Sequence, residues 1–258
     1  MEKNPGQVYF RKSPMVRLRK AAGVVIFSSS SLEGHWCFME QSTLRRLYRQ
    51  APASSVLAGL CVLVYLVTAL ESRSLVSNLR SSWIADRWIL FLPDMIGHPV
   101  GIGRVVGYAL LHNGPSHLLM NVLMLYLFGR ELERFTGRWM LAAMFLMGAV
   151  GSAAVIVWEN PLSATVGASG ALYAFMAIAV GMSLRARAEI KPLVVLIVLN
   201  LGFTLLVPGI SLFGHLGGLA FGAVLGAAIA FGASWKTTWL VILGETAIAV
   251  GLVVVAML

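Results

Sequence analysis

Long apolar segments separated by short polar loops make up most of the chain after residue 52. A helix needs about 20 mostly apolar residues to cross the hydrocarbon core of a bilayer. Seven segments approach or reach this length, and they predict seven membrane-spanning helices. In chain order the predicted spans cover residues 53–70, 117–132, 139–158, 168–184, 192–207, 211–231 and 239–258.

The connection between the first and second spans, about residues 71–116, has a different pattern. It places large apolar side chains among charged residues, namely Trp83, Trp88, Phe91 and Leu92. This mixture is typical of a segment that lies in the interface between water and lipid. We therefore expect the connection to lie along the membrane surface.

The amino-acid composition favours a membrane protein as well. Hydrophobic residues make up 58% of the 258 positions and charged residues 12%, and the mean hydropathy is +0.81. A soluble domain of this length cannot bury so much apolar surface, and the composition excludes intrinsic disorder beyond the N-terminal region. The two cysteines are too few for a disulfide framework or a thiolate metal site. The chain is therefore expected to be a polytopic membrane protein.

Residues 1–51 are expected to form a flexible cytoplasmic tail. Nine of the 20 Lys and Arg residues lie in the first 50 positions, against three acids. The longest apolar run there, residues 21–27, is too short to cross a bilayer, and no cleavage site of a signal peptide follows it. Because the basic residues lie in this tail and not on one folded surface, they suit anionic lipid headgroups better than nucleic acid. Met39 is an alternative start site.

The basic residues of the loops predict the orientation of the bundle, since positively charged loops remain in the cytoplasm. Lys or Arg follows the second, fourth and sixth spans, whereas the alternate loops carry almost none, apart from the long first connection. The N-terminus is therefore expected in the cytoplasm and the C-terminus outside. In this orientation the second, fourth and sixth helices all begin at the outer face.

These three helices begin with polar side chains. His117 and Asn121 lie one turn apart on the second helix, and Ser169 and His215 begin the fourth and sixth. Polar groups inside a membrane are costly and often functional. Each also has a structural interpretation, such as a Ser bonded to its own helix or an interhelical clamp. Their occurrence at one depth predicts a dyad in which His215 takes the proton of Ser169.

Neighbouring groups would complete this site. The oxyanion would be held by the side chains of His117 and Asn121 and by the backbone N–H of Ser169. Tyr173, one turn below Ser169, would pack against the imidazole of His215, although ordinary core packing is the alternative. We expect no acid in the site, because the two aspartates lie in the first connection and Glu245 lies in the last helix.

Small residues predict how the fourth and sixth helices meet. Such residues let two helices approach closely in a membrane, and this approach would bring the hydroxyl and the imidazole within hydrogen-bond reach. A packing seam without chemistry is the alternative. The residues of this seam are Gly214, Gly218, Gly222 and Gly226 on the sixth helix and Gly170, Ala174, Ala177 and Gly181 on the fourth.

In these motifs the chain resembles the rhomboid family of intramembrane serine proteases. The resemblance covers about residues 52–236 and implies an all-α polytopic membrane helix bundle with a rhomboid-like six-helix core. Residues 237–258 would add a seventh, C-terminal transmembrane helix. The motifs are His112-x4-His117-x3-Asn121, Glu133-x3-Gly137, Gly167-Ala168-Ser169-Gly170 with Tyr173, and Gly214-His215-x2-Gly218.

The resemblance implies a role for each motif. Ser169 would be the nucleophile and His215 the general base, in a water-filled cavity that opens to the outer face. His112 would fix the first connection, and Glu133 would brace the helix ends. Arg104 occupies the place of an Arg that follows a Trp in the family, but here the preceding residue is Gly103.

The resemblance also implies the substrate class, namely single-span membrane proteins that enter beside the fifth helix and are cut near the outer face. It favours a bacterial cell membrane and leaves the oligomeric state open. No cofactor is expected, because the sequence contains no cluster of metal ligands. One alternative is a rhomboid-like protein that binds membrane clients without cutting them. Another is a small transporter, which the absence of an inverted repeat disfavours.

Overall fold

A computed structural model describes residues 50–258 of the protein. The predicted cytoplasmic tail therefore falls almost entirely outside the described residues. In the described part the chain is helical and contains no β-strand, and one isolated antiparallel bridge joins Leu90 and Thr165. The all-α fold class is confirmed.

Seven long helices of the described part correspond to the seven predicted spans, with ends that differ by at most four residues. They are α1 (Pro52–Ser72), α4 (Gly114–Thr136), α5 (Arg138–Glu159), α6 (Ser169–Arg185), α7 (Lys191–Leu206), α8 (Leu212–Ala230) and α9 (Trp235–Met257). The connection between α1 and α4 contains two short helices, α2 (Trp83–Trp88) and α3 (Arg104–Gly107). It also contains three 3-10 turns at Leu92–Asp94, Pro99–Gly103 and Tyr108–Leu110.

Four helices, α1, α5, α8 and α9, are each long and apolar enough to cross a membrane. The α6 and α7 helices are apolar but shorter, with 17 and 16 residues. The α4 helix ends in a charged turn that includes Arg130, Glu131, Glu133 and Arg134.

The α5 and α6 helices form the centre of the bundle. In α5, 78% of the most apolar window is buried, against 22–39% in α1, α8 and α9. The α7 helix is the opposite case, because Thr204 is its only buried residue. Its apolar side chains, including Val198, Leu199 and Leu206, are exposed at the surface that a bilayer would cover.

Glu133 joins the end of α4 to the start of α1. Its carboxylate accepts hydrogen bonds from the backbone N–H of Ala53 at 2.8 Å and of Ser54 at 2.9 Å. It also accepts a bond from the Ser54 hydroxyl at 2.8 Å. These N–H groups belong to the first turn of α1, which has no partners for them within the helix. The prediction that Glu133 braces helix ends is confirmed, and Gly137 separates α4 from α5 with a φ of 77°.

Two polar side chains hold the first connection together. Asn78 donates to Thr68 at 2.8 Å and to the carbonyl of His112 at 2.9 Å, and it accepts from the N–H of Gly114 at 2.9 Å. Arg104 donates to the Ile89 carbonyl at 2.7 Å and also pairs with the Asp94 carboxylate. The guanidinium thus stabilises the connection from within.

Candidate active site

The α6 and α8 helices meet with their backbones almost in contact. A Cβ atom on Gly218 would overlap the backbone of Gly170, and one on Gly222 would overlap that of Ala174. The predicted seam of small residues is therefore confirmed for these pairs. Gly214 takes part through its carbonyl, which would lie 3.3 Å from a Cβ on Gly170, whereas a Cβ on Gly214 itself would face Ser211 and the side chain of Ile156 in α5.

Ser152 of α5 completes this junction. Its hydroxyl donates to the carbonyl of Gly214, and its side chain occupies the space beside Gly170. Gly214 precedes His215 and Gly170 follows Ser169 along the chain. The buried Ser152 side chain therefore contacts the residue next to each member of the candidate dyad. The sequence pattern did not identify Ser152, because a Ser among small residues of a helix has no signature of its own.

The seam brings Ser169 and His215 together. Ser169 is the first residue of α6, His215 lies in the first turn of α8, and the Ser169 Oγ to His215 Nε2 distance is 2.9 Å. Ser169 keeps part of its surface exposed, whereas only 6% of His215 is exposed. A hydroxyl in this position can pass its proton to the ring nitrogen when it attacks a carbonyl carbon.

Two further side chains hold the imidazole of His215. The phenol ring of Tyr173 stacks on it with centroids 4.2 Å apart and planes inclined by 22°. The Oγ1 atom of Thr204 in α7 lies 2.8 Å from Nδ1, on the side of the ring away from Ser169. Thr204 was not predicted. In the sequence Thr204 is recognisable only as a polar residue within an apolar span, and most such Thr side chains hydrogen-bond to their own helix.

His117 and Asn121 of α4 border the loop that leads into Ser169. Gly167 in this loop has a φ of 122°, and a Cβ there would lie 2.7 Å from His117 Nε2 and 3.8 Å from Asn121 Nδ2. Nδ1 of His117 accepts the N–H of Asn113 at 3.3 Å, and Asn121 donates to the carbonyl of His117 at 3.0 Å. In a neutral ring the proton then belongs on Nε2, which faces the loop.

The first connection holds this loop in place. Leu90 and Thr165 exchange two backbone hydrogen bonds at 3.1 and 2.9 Å, and the N–H of Gly167 donates to the carbonyl of Tyr108 at 2.9 Å. The Tyr108 hydroxyl in turn donates to the carbonyl of Ala149 at 2.8 Å. The loop is therefore attached both to the connection and to the central helix α5.

His112 lies behind the candidate site. It is fully buried, its Nδ1 lies 3.2 Å from the Leu110 carbonyl, and its ring packs edge-on against that of His117 with centroids 5.2 Å apart. Burial, with a smaller effect of the nearby His117, lowers the pKa of His112 to about 4. The ring is therefore neutral at neutral pH and packs as an uncharged group.

Among the described residues no acidic side chain hydrogen-bonds to the imidazole of His215, whose partners are Ser169 and Thr204. Glu245 of α9 is buried, and its two carboxylate oxygens have no hydrogen-bond partner among the described residues. The carboxylate therefore faces the bundle. Within residues 50–258 no three His, Cys, Asp or Glu side chains are grouped as a metal site would require.

Comparison with known proteins identifies the family of the chain. The family model of the Rhomboid domain matches residues 100–231, which is just over half of the chain. RHOMBOID-like protein 4 of Arabidopsis thaliana is 32% identical over 48% of this chain and 33% of its own length. Rhomboid protease GluP of Bacillus subtilis is 33% identical over 49% of this chain and 26% of its own length.

A further relative, putative rhomboid protease YdcA of Bacillus subtilis, is 25% identical over 73% of this chain and 94% of its own length. The match thus spans a third or less of the first two relatives but nearly all of the third. The family match covers the polar starts of α4, α6 and α8 together with the seam between α6 and α8. The chain belongs to the rhomboid family, and it is an integral membrane protein.

Proposed function

We propose that the protein is an intramembrane serine endopeptidase that cleaves transmembrane segments of membrane proteins through a Ser169–His215 dyad. The observation that carries the proposal is the 2.9 Å contact between Ser169 Oγ and His215 Nε2. Membership of the rhomboid family supports it, as do relatives that are named rhomboid proteases.

The chemistry follows from these two groups. His215 Nε2 takes the hydroxyl proton as Ser169 Oγ forms a bond to the carbonyl carbon of the scissile peptide. The tetrahedral intermediate then expels the amine, which receives the proton from His215. Water, activated by the same imidazole, releases the acyl group and restores the hydroxyl.

Three donors would bind the oxyanion of the intermediate. They are His117 Nε2, Asn121 Nδ2 and the backbone N–H of Ser169, which has no partner within α6 because it is the first residue of that helix. The position of the two side chains beside Gly167 supports this role. Losing one such donor costs about 10²–10³ in turnover in other hydrolases.

The substrates would be single-span membrane proteins whose helix unwinds near the outer face of the membrane. A helix holds its carbonyl groups in backbone hydrogen bonds, so the scissile segment must become extended before attack. The charge distribution of the loops favours a cytoplasmic N-terminus and an outside C-terminus. The choice of a bacterial cell membrane stays a prediction.

The test is cleavage of tagged single-span proteins by the purified enzyme in lipid vesicles. Wild-type protein should produce two fragments from at least one substrate, and Ser169→Ala should produce none above background. Cleavage by Ser169→Ala at the wild-type rate would overturn the dyad. Binding without cleavage by both proteins would instead favour a client-binding protein, and solute flux across the vesicles would favour a transporter.

A further inference from the structure

Thr204 is the residue of α7 whose side chain lies within hydrogen-bond distance of the candidate dyad. Its Oγ1 lies 2.8 Å from His215 Nδ1, and the same oxygen lies 2.9 Å from the carbonyl of Asn200 one turn earlier. Thr204 is 5% exposed and is the only buried residue of α7. The pair is therefore shielded from solvent, and a hydrogen bond in such a buried environment is stronger than one in water.

The hydrogen-bond roles of this pair follow from the number of protons. A hydroxyl has one hydrogen, and the carbonyl of Asn200 can only accept, so the Thr204 hydrogen points to Asn200. The oxygen of Thr204 is then left to accept a hydrogen bond from His215 Nδ1. A neutral imidazole with its proton on Nδ1 has a free lone pair on Nε2.

We infer that Thr204 is a positioning residue that holds His215 in the tautomer able to accept the proton of Ser169. The opposite tautomer, with the proton on Nε2, could not act as a base toward the hydroxyl 2.9 Å away. No carboxylate hydrogen-bonds to His215 in the described part of the chain. A neutral hydroxyl therefore accepts the Nδ1 proton and orients the ring, as the aspartate does in a Ser-His-Asp triad. This inference rests on the proposed function of the dyad.

The same bond connects the position of α7 to the orientation of His215. The α7 helix buries a single residue, and that residue is the partner of the imidazole. An outward displacement of α7 would separate Thr204 Oγ1 from His215 Nδ1, and the bond that favours the Nδ1-protonated tautomer would be lost. Catalysis is therefore sensitive to the packing of a helix that contributes no reacting atom.

The test compares Thr204→Val, which removes the hydroxyl at almost constant volume, with Thr204→Ser, which keeps it. Loss of one buried hydrogen bond to a group that becomes charged corresponds to about 10-fold to 100-fold in rate. We expect Thr204→Val to lower kcat by this factor with little change in KM, and Thr204→Ser to restore most of it.

The matched control is Thr246→Val in α9, because Thr246 also bonds a carbonyl of its own helix, that of Ile242 at 2.7 Å, far along the chain from the dyad. This variant should keep wild-type kcat and melting temperature. Equal losses in Thr204→Val and Thr246→Val, or full kcat in Thr204→Val, would overturn the inference. If Ser169→Ala cleaves as well as wild type, the dyad itself fails, and the two failures are thereby distinguished.

A measurement on the unaltered protein covers the case in which Thr204→Val does not fold. In protein labelled with ¹⁵N-histidine, the resonances missing from His215→Ala identify the ring of His215. We expect Nδ1 of His215 to carry the proton and Nε2 to be unprotonated at neutral pH. A protonated Nε2 in the neutral ring of the wild-type protein would contradict the role of Thr204.

Discussion

Gly218 lies so close to Gly170 that a Cβ atom on Gly218 would overlap the Gly170 carbonyl group. This contact joins α8 to α6 next to the two residues of the candidate dyad. Because a membrane offers little hydrophobic force between helices, close packing of small residues is what holds them together. The distance between Ser169 and His215 therefore depends on residues that take no part in chemistry.

Gly218→Ala should separate α6 from α8 and lower both activity and stability. Overpacking of this kind costs about 1–3 kcal/mol, so the melting temperature of the purified protein should fall together with the rate of cleavage. Gly251→Ala in α9 is the matched control, because a Cβ there meets no atom within 4 Å. Full activity and an unchanged melting temperature in Gly218→Ala would mean that the seam is not needed.

Glu133→Gln should destabilise the fold with no direct effect on the chemistry. The carboxylate accepts three hydrogen bonds from the first turn of α1, and bonds to a charged group contribute about 1.5–3 kcal/mol each. Thermal unfolding measures the loss. Glu131→Gln is the control, since that side chain is 57% exposed and pairs only with Arg134, a pair worth at most about 1 kcal/mol. Similar melting temperatures for the two variants would contradict the capping role of Glu133.

Asn121→Ala should lower activity and leave stability nearly unchanged, the reverse of the effect expected for Glu133→Gln. Its amide donates to the carbonyl of His117 in its own helix, so its removal should change the melting temperature little. As an oxyanion donor it should support turnover by about 10²–10³. Unchanged kcat in both Asn121→Ala and His117→Ala would remove this pair of side chains from the mechanism.

Much of this architecture could be predicted from local patterns in the sequence. The lengths of the apolar segments predicted each of the seven long helices. The four-residue spacing that includes Gly218 and Gly222 predicted which faces of α6 and α8 meet. The approach of Ser169 and His215 follows from that seam. These features repeat along one helix, so they are visible without knowledge of its neighbours.

Contacts made by single polar residues could not be predicted in this way. Thr204, Asn78 and Ser152 each bond a residue outside their own helix or loop, and a lone polar side chain does not indicate which partner the fold will bring to it. Gly214 fits the predicted seam only in part. Its carbonyl lies beside Gly170, but a Cβ on Gly214 would face Ser211 and Ile156, which the four-residue spacing does not indicate.

Covalent labelling tests the central claim most directly. A fluorophosphonate should modify the wild-type protein in vesicles, and mass spectrometry of the labelled peptide should place the adduct on Ser169. Because a general base contributes about 10²–10⁴ to rate, His215→Ala should label at least about 100-fold more slowly. Equal labelling of wild type and Ser169→Ala, or an undiminished rate in His215→Ala, would contradict the dyad.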